Sequence, residues 1–343
     1  MSLRVGSLCT GYGGIEMGLR LLGIDVDLRW LAETDPSLDP LHPAGVSNLG
    51  DINAVDWARV EPVQLLTAGF PCQPVSAAGA QLGAADSRWL WPAVRNAIAI
   101  LKPRGVLLEN VRNLASIQGG ALWRGICSDL LALGYCVRWL TLGACHAGAA
   151  HHQHRLFALA LIGGSDVKRI DTTPCGARDP LPTLALLPTP SAASYGSNQG
   201  GSAGRVGPVR HSLDSLASQS LLPTPTAGDA RGSRNATAGH TYERASRQSG
   251  TTLSDVSYGD TWRRFAWAVQ RHAEIYGPPP APTEPNRNGA PRLAPAFAEW
   301  LMCLPAGHVT DKLARRDALR AIGNGVCPPQ LAAAWRLLTT SQP

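Results

Sequence analysis

The stretch Leu65 to Ser76, LLTAGFPCQPVS, constrains the fold of this chain more than any other. Its apolar start reads as a short buried strand that breaks at Gly69. The Gly-Phe-Pro-Cys-Gln-Pro that follows reads as a rigid loop at the strand's C-terminal end. In an open α/β sheet built from parallel strands, ligands and chemistry gather at that rim. Cys72 sits between Pro71 and Pro74, whose fixed φ angles set its position before any substrate arrives, which suits a nucleophile. Taken alone, the loop also admits a buried structural cysteine in a turn.

The segments on either side repeat one alternation. Leu3 to Thr10 is an apolar run, GYGG turns, and Ile15, Met17, Gly18, Leu19 and Leu22 recur on one helical face. Gly11, Gly13 and Gly14 let the backbone approach a ligand at a helix start, as in nucleotide-binding strand-turn-helix units. The next strand, Leu28 to Ala32, ends at Glu33, where a carboxylate could take hydrogen bonds from ribose hydroxyls. Gly50-Asp51-Ile52 is a further turn whose carboxylate and apolar neighbour could grip an adenine, or an ordinary Asp-containing turn.

Beyond the Cys72 loop, Trp89 to Leu101 reads as a helix and Gly105 to Leu108 as a buried strand, with Glu109-Asn110-Val111 as the loop that closes it. Cys72 and Glu109 then follow two strands of one sheet and share its rim, so a nucleophile and an acid can meet over one substrate. A helix from Ala121 to Leu133 and strands from Tyr135 to Leu142 and Arg155 to Ile162 complete a doubly wound α/β domain over residues 1–162.

Composition shifts near Gly163. From there to residue 290 the chain is rich in Ser, Thr, Gly, Pro and Arg, and Leu186-Leu187-Pro188-Thr189-Pro190 recurs as Leu221-Leu222-Pro223-Thr224-Pro225. The two copies read as similar strand-turn units of a smaller, loop-rich second domain, the alternative being a flexible linker. Arg231, Arg234, Asn235, Arg244 and Arg247 are side chains able to touch phosphates and base edges. An amphipathic helix containing Trp262, Phe265, Ala266 and Val269 follows, stopped by Gly277 and Pro278. Arg292 to Leu304 reads as another helix, Gly323-Asn324-Gly325 as a turn, and Pro329 to Leu338 as a last helix.

The net charge of +6 allows a polyanionic partner, and 28 arginines against three lysines favour the planar donor fork that fits phosphates and guanine edges. The eight cysteines include no Cys-x-x-Cys pair, which disfavours a disulfide framework or a structural zinc site. His151, His152 and His154 fit no familiar ligand spacing, so no metal is expected. With no run of about 18 apolar residues and no signal sequence ahead of the first strand, a soluble cytoplasmic protein is expected.

Together these pieces resemble the DNA cytosine-5 methyltransferase family. GFPCQPVS, ADSRWLW and ENVRN carry the resemblance most specifically. LCTGYGG, AETD, GDIN, RLAPAFAEWLMCLP and AIGNGV support it in order and spacing. The resemblance implies a Rossmann-like, S-adenosylmethionine-dependent methyltransferase domain, a target-recognition domain over 163–290, and a segment 291–343 that returns to the first domain.

In the implied chemistry, the Cys72 thiolate attacks C6 of a flipped-out cytosine, Glu109 acts at N3, and Arg155 holds the base. The cofactor would be bound by Cys9, Thr10, Gly11, Tyr12, Gly14 and Ile15 of the first loop, and by Glu33, Thr34, Asp51 and Ile52. Pro71, Trp91, Asn324, Gly325 and Val326 would complete that site. Ser76 and Arg88 join the arginine-rich region as DNA contacts. The implied partner is double-stranded DNA, with a restriction endonuclease able to act on the same site without a stable complex; the enzyme is expected to be a monomer in a bacterial or phage-infected cell. A tRNA methyltransferase of the same family, a degenerate DNA-binding homologue and a Rossmann dehydrogenase are the alternatives.

The chain departs from the family at two places. Cys9 stands where the family usually carries an aromatic, which shifts adenine packing toward Tyr12 or Ile52. His151-His152-Gln153-His154-Arg155 replaces a Gln-x-Arg-x-Arg segment and keeps only its second arginine.

Overall fold

The computed structural model describes residues 2–71, 89–163, 266–289 and 291–340. Two compact units emerge from these. The first takes in 2–71, 89–147, 154–163 and 325–340, and the second 148–153, 266–289 and 291–324. The described residues 291–324 therefore group with the second unit, and 325–340 with the first.

The first unit is a seven-stranded sheet. Its strands are β1 (Leu3–Leu8), β2 (Val26–Ala32), β3 (Ser47–Asn48), β4 (Leu65–Ala68), β5 (Gly105–Val111), β6 (Tyr135–Gly143) and β7 (His154–Ile162), in the order β3-β2-β1-β4-β5-β7-β6. β1 to β5 pair in parallel, while β7 runs antiparallel to both of its neighbours, β5 and β6. The chain winds outward from β1 to β3, then crosses back to β4. The crevice between the ends of β1 and β4 is thus the point where strand order reverses, the usual seat of a ligand in such sheets.

Strand alternation divides the core into two layers. On one face Leu8, Leu66, Ala68, Val106, Leu108 and Ala158 pack with Val94 and Ile98 of α2 (Trp91–Leu101) and Trp123 and Ile126 of α3 (Ala121–Ala132). On the other, Val5, Leu65, Leu107 and Phe157 pack with Ile15 and Leu19 of α1 (Gly14–Arg20). The last helix supplies Leu331, Ala334 and Leu338 to that second layer. A Cβ on Gly18 would come within 2.8 Å of the Pro328 carbonyl, so only glycine permits so close an approach of the last helix to α1.

Three expectations are corrected in or near this unit. Glu109, Asn110 and Val111 are strand, not loop: β7 pairs with β5 as far as Val111, so Glu109 lies opposite Phe157. Gly323 and Asn324 close a helix, Arg315–Asn324, and the turn before the last helix is only Gly325 to Cys327. Trp89 and Leu90 precede α2, whose second residue is Pro92.

The second unit contains α4 (Ala266–Tyr276), β8 (Thr283–Pro285), β9 (Pro291–Leu293), α5 (Pro295–Leu301) and α6 (Arg315–Asn324); α7 (Pro328–Thr339) belongs to the first unit. The helix expected over Arg292 to Leu304 is shorter. Pro295 at its first turn holds Ala294 extended (φ −78°, ψ 129°), and Arg292 and Leu293 pair with β8 instead. Trp262 and Phe265 of the expected amphipathic helix lie outside the described residues. His272 of α4 accepts the Ala150 amide at Nδ1 (3.0 Å) and donates from Nε2 to the Trp300 carbonyl (2.9 Å). Glu299 of α5 accepts the amides of Gly307 and Val309 and the Thr310 hydroxyl, fixing the loop before α6. Among the described residues no helix is long and apolar enough to cross a membrane.

Candidate active site

β1 ends at Leu8 and delivers a turn of left-handed residues, Cys9 (φ 53°), Gly11 (φ 58°) and Gly13 (φ 79°), before α1 begins. The turn is tied down on several sides. The Cys9 amide donates to the Ala32 carbonyl (2.8 Å), and the Gly11 amide donates to Glu33 Oε2 (3.0 Å). The other Glu33 oxygen accepts the Thr34 and Asp35 amides (2.9 and 3.1 Å). Glu33 therefore anchors the glycine turn. A Cβ built on Gly11 meets nothing within 4 Å, so the turn borders open space at the crevice.

Burial, with the Glu33 and Asp51 carboxylates adding to it, pushes the Cys9 thiol up to about 12. Cys9 is therefore a poor nucleophile, and both acids act on it from the same corner of the crevice. Asp51 holds the Asn53 amide and side chain (both 2.9 Å), while Ile52 is buried in the core.

Across the crevice, β5 addresses the stem of the loop that follows β4. Glu109 Oε2 lies 3.4 Å from the Cβ position of Gly69, and Asn110 Nδ2 donates to the Phe70 carbonyl (3.1 Å). The Glu109 carboxylate is buried and meets Arg155 Nε at 3.2 Å, an ion pair whose angle falls short of a hydrogen bond. Burial pushes the Glu109 carboxyl up; the Arg155 guanidinium draws it back down by less. The result is a buried carboxyl with a raised pKa beside a guanidinium, an arrangement able to share a proton.

Arg155 also donates from Nη2 to the Gly325 carbonyl (3.0 Å), joining the acid to the segment before α7. That segment is held again by Tyr12, whose hydroxyl donates to the Val326 carbonyl (2.7 Å). A Cβ on Gly14 would sit 2.7 Å from that carbonyl, and one on Gly325 would overlap the Tyr12 ring. Tyr12 is 2% exposed, with its ring packed against Gly325 and its hydroxyl on the Val326 carbonyl.

The structure brings Cys9, Thr10, Gly11, Tyr12, Gly14, Glu33 and Asp51 to one side of the crevice. Gly325 and Val326 close on them through Tyr12, and Glu109 and Arg155 stand by Gly69. Ile15 is a core residue under Gly69, and Thr34 is exposed with its amide on Glu33. Trp91 is buried against Phe70 with its indole N–H on Asp129 (2.7 Å). Pro71 is exposed, and Asn324 is the last residue of α6 in the second unit. His151 is buried and gives Nε2 to the Leu301 carbonyl (2.9 Å). Cys72, Ser76, Arg88, Arg231, Arg234, Asn235, Arg244 and Arg247 lie outside the described residues.

Asn110, His42 and Asn48 were not singled out by the sequence. Asn110 was findable as the neighbour of Glu109 on a strand. His42 and Asn48 carry no periodicity or motif, and only the fold shows His42 reaching Gly11 and Asn48 reaching Glu33.

A family model for C-5 cytosine-specific DNA methylase matches residues 3–336. Among curated proteins, the chain is 32% identical over 162 residues to Type II methyltransferase M.NgoBI of Neisseria gonorrhoeae, covering 46% of this chain and 50% of that protein. It is 31% identical over 168 residues to Type II methyltransferase M.NaeI of Lentzea aerocolonigenes, covering 47% and 40%. The matches thus span about half the length of these relatives. Among solved structures, S. pombe Dnmt2 methyltransferase superposes with a TM-score of 0.54 at 16% identity, covering 98% of each chain. The Entamoeba histolytica methyltransferase EhMeth gives 0.55 at 11% identity over 98% of each. At such identities the likeness is one of fold, a Rossmann-like methyltransferase.

Proposed function

Because the chain belongs to the C-5 cytosine-specific DNA methylase family, we propose that it methylates C5 of a flipped-out cytosine in double-stranded DNA, using S-adenosylmethionine. The observation that carries this reading is the buried Glu109–Arg155 pair set against the stem of the loop that leads to Cys72. DNA is favoured over tRNA as substrate because the matching family is one of DNA methylases and the curated relatives are named Type II methyltransferases.

The cofactor fits the residues present. The open space at Gly11, the carboxylates of Glu33 and Asp51 in one corner, and the Val326 segment closing over Tyr12 make a cradle for a nucleoside with a charged tail. When bound, S-adenosylmethionine supplies an electrophilic methyl group. Glu33 would meet the ribose hydroxyls, Asp51 and Ile52 the adenine, and the amides of the glycine turn the remainder.

The chain's own groups do the rest. Cytosine C5 becomes nucleophilic only after the Cys72 thiolate adds to C6, which pushes an electron pair toward N3. Glu109, its carboxyl raised by burial, offers its proton there, and the carboxylate that results is neutralised by Arg155, which stays charged. Arg155 is thus first the counter-charge of Glu109 and the anchor of Gly325; a contact with the base O2 would come in addition. After methylation, loss of the C5 proton, expulsion of the Cys72 thiolate and return of the N3 proton to Glu109 restore the aromatic ring and the acid.

Residues 163–290 would select the target sequence, through Arg231, Arg234, Asn235, Arg244 and Arg247, with Ser76 and Arg88 adding DNA contacts. The enzyme would act as a monomer in the cytoplasm and share its site with a restriction endonuclease without binding it. Bisulfite sequencing of DNA from cells expressing the chain tests the reading. Methylated cytosines in one recurring motif, lost in Cys72→Ala, are expected, and unmodified DNA would refute it. Grafting 163–290 into a relative should carry that motif with it.

A further inference from the structure

We propose that His42 is a positioning residue for the cofactor, holding the carbonyl of Gly11 while Glu33 holds its amide. The inference rests on the reading that the glycine turn and Glu33 receive S-adenosylmethionine, and it adds a residue that no motif contains.

His42 follows a 3-10 turn, Pro36–Leu41, that starts from Asp35. The Asp35 carboxylate caps this turn, accepting the Ser37 amide (3.1 Å) and hydroxyl (2.7 Å), and Leu38 and Leu41 sink into the core. The turn therefore has a fixed place, and His42 leaves it with its side chain only 7% exposed. His42 Nε2 lies 3.2 Å from the Gly11 carbonyl oxygen. A carbonyl can only accept, so Nε2 carries the proton. Nδ1 faces the Asp39 carboxylate at 3.7 Å.

A second arm ties Glu33 from the other side. The Asn48 side chain accepts the Glu33 amide (3.0 Å) and donates to the Glu33 carbonyl (3.1 Å), continuing the β2–β3 ladder past its last residue. Asn48 Nδ2 also reaches Asp39 Oδ1 (3.3 Å). The contacts close a ring through Gly11, Glu33, Asn48, Asp39 and His42, built from four separate stretches of chain.

The ring matters because Gly11 has no side chain to restrain it, has φ +58°, and borders open space. With either hold missing, the peptide flanking Gly11 can rotate and present an acceptor where the cofactor needs a donor. Fixing it beforehand removes that ordering cost from binding.

The test compares the parent with His42→Ala and His42→Gln. Calorimetric titration with S-adenosylhomocysteine, which needs no turnover, is combined with cofactor KM, kcat and thermal unfolding. His42→Ala is expected to weaken binding about tenfold, the scale of one lost buried hydrogen bond, and to raise KM by more than it lowers kcat. His42→Gln, whose side-chain amide can still donate to Gly11, should recover most of the affinity. The proposal is overturned if His42→Ala binds as the parent does. It is equally overturned if both variants lose affinity alike together with unfolding temperature, which would make His42 packing only. A parent that takes up no S-adenosylhomocysteine refutes the functional reading itself, and His42's role with it, and is told apart because the parent, not the variant, fails.

Discussion

Glu109 and Asn110 are consecutive on β5 and point to opposite faces of the sheet, yet both address the two residues that follow β4: Glu109 lies against Gly69, and Asn110 holds the carbonyl of Phe70. Strand alternation thereby grips the stem of the Cys72 loop from both sides. Two different residues hold Gly69 and Phe70, so substitutions at Glu109 and Asn110 should have separable effects.

Glu109→Gln keeps the shape and removes the proton donor. Turnover should fall by ~10² to 10³, the usual cost of losing one preorganised group facing developing charge, with S-adenosylhomocysteine affinity unchanged by calorimetry. In the parent, the single-turnover rate should decline as pH rises through the raised pKa of Glu109, because only the protonated carboxyl donates. The sign for stability agrees: a carboxyl raised by burial favours the fold below its unfolded pKa and loses that benefit as pH rises through the folded value. Glu109→Gln should lose this limb of the rate profile.

Asn110→Ala leaves the Phe70 carbonyl without its side-chain donor, a loss worth ~1–3 kcal/mol for a buried group. Adduct formation with DNA bearing 5-fluorocytosine should slow by more than cofactor affinity changes. Equal adduct rates in Asn110→Ala and parent would show that Cys72 does not depend on this bond.

Gly325→Ala places a methyl group in the Tyr12 ring. Overpacking of this kind costs ~1–3 kcal/mol, and a lower urea midpoint together with weaker cofactor binding is expected. Tyr12→Phe, which loses the hydroxyl bond to Val326 but keeps the ring, should show the milder form of both effects.

His272 titrates in the second unit. Burial lowers its pKa from 6.5 to about 4, and its Nδ1 is committed as an acceptor from Ala150. A depressed folded pKa contributes stability above the unfolded value that is lost as pH falls toward the folded one. Denaturation curves between about pH 6.5 and 4 should therefore show stability falling on the order of 1.4 kcal/mol per pH unit for this one group. His272→Gln should flatten that slope.

Much of the first unit was legible in the sequence because its strands are continuous apolar runs. Leu65–Ala68 is buried at every position, as a central parallel strand should be. Glu33 was legible too, from its distance after the glycine turn. What escaped depended on partners remote in sequence. Glu109 to Val111 read as loop because the strand that completes their pairing, β7, comes far later. Leu293, Phe297 and Leu301 mimic a helical stripe through Arg292, and only the pairing of β9 with β8 breaks it. The bond from Tyr12 to Val326 escaped because nothing near Tyr12 in the chain announces a partner 314 residues away.

That last separation bears on synthesis. The glycine turn leaves the ribosome long before its partners, so Tyr12 cannot find Val326, nor Arg155 the Gly325 carbonyl, until those residues have been made. The N-terminal strands can pair while translation continues. The Gly325-Val326 segment cannot close over Tyr12 until α7 has emerged and packed on α1. A nascent chain that stops short of Gly325 would thus hold Glu109 and the glycine turn without the two bonds that tie Arg155 and Tyr12 to the segment before α7.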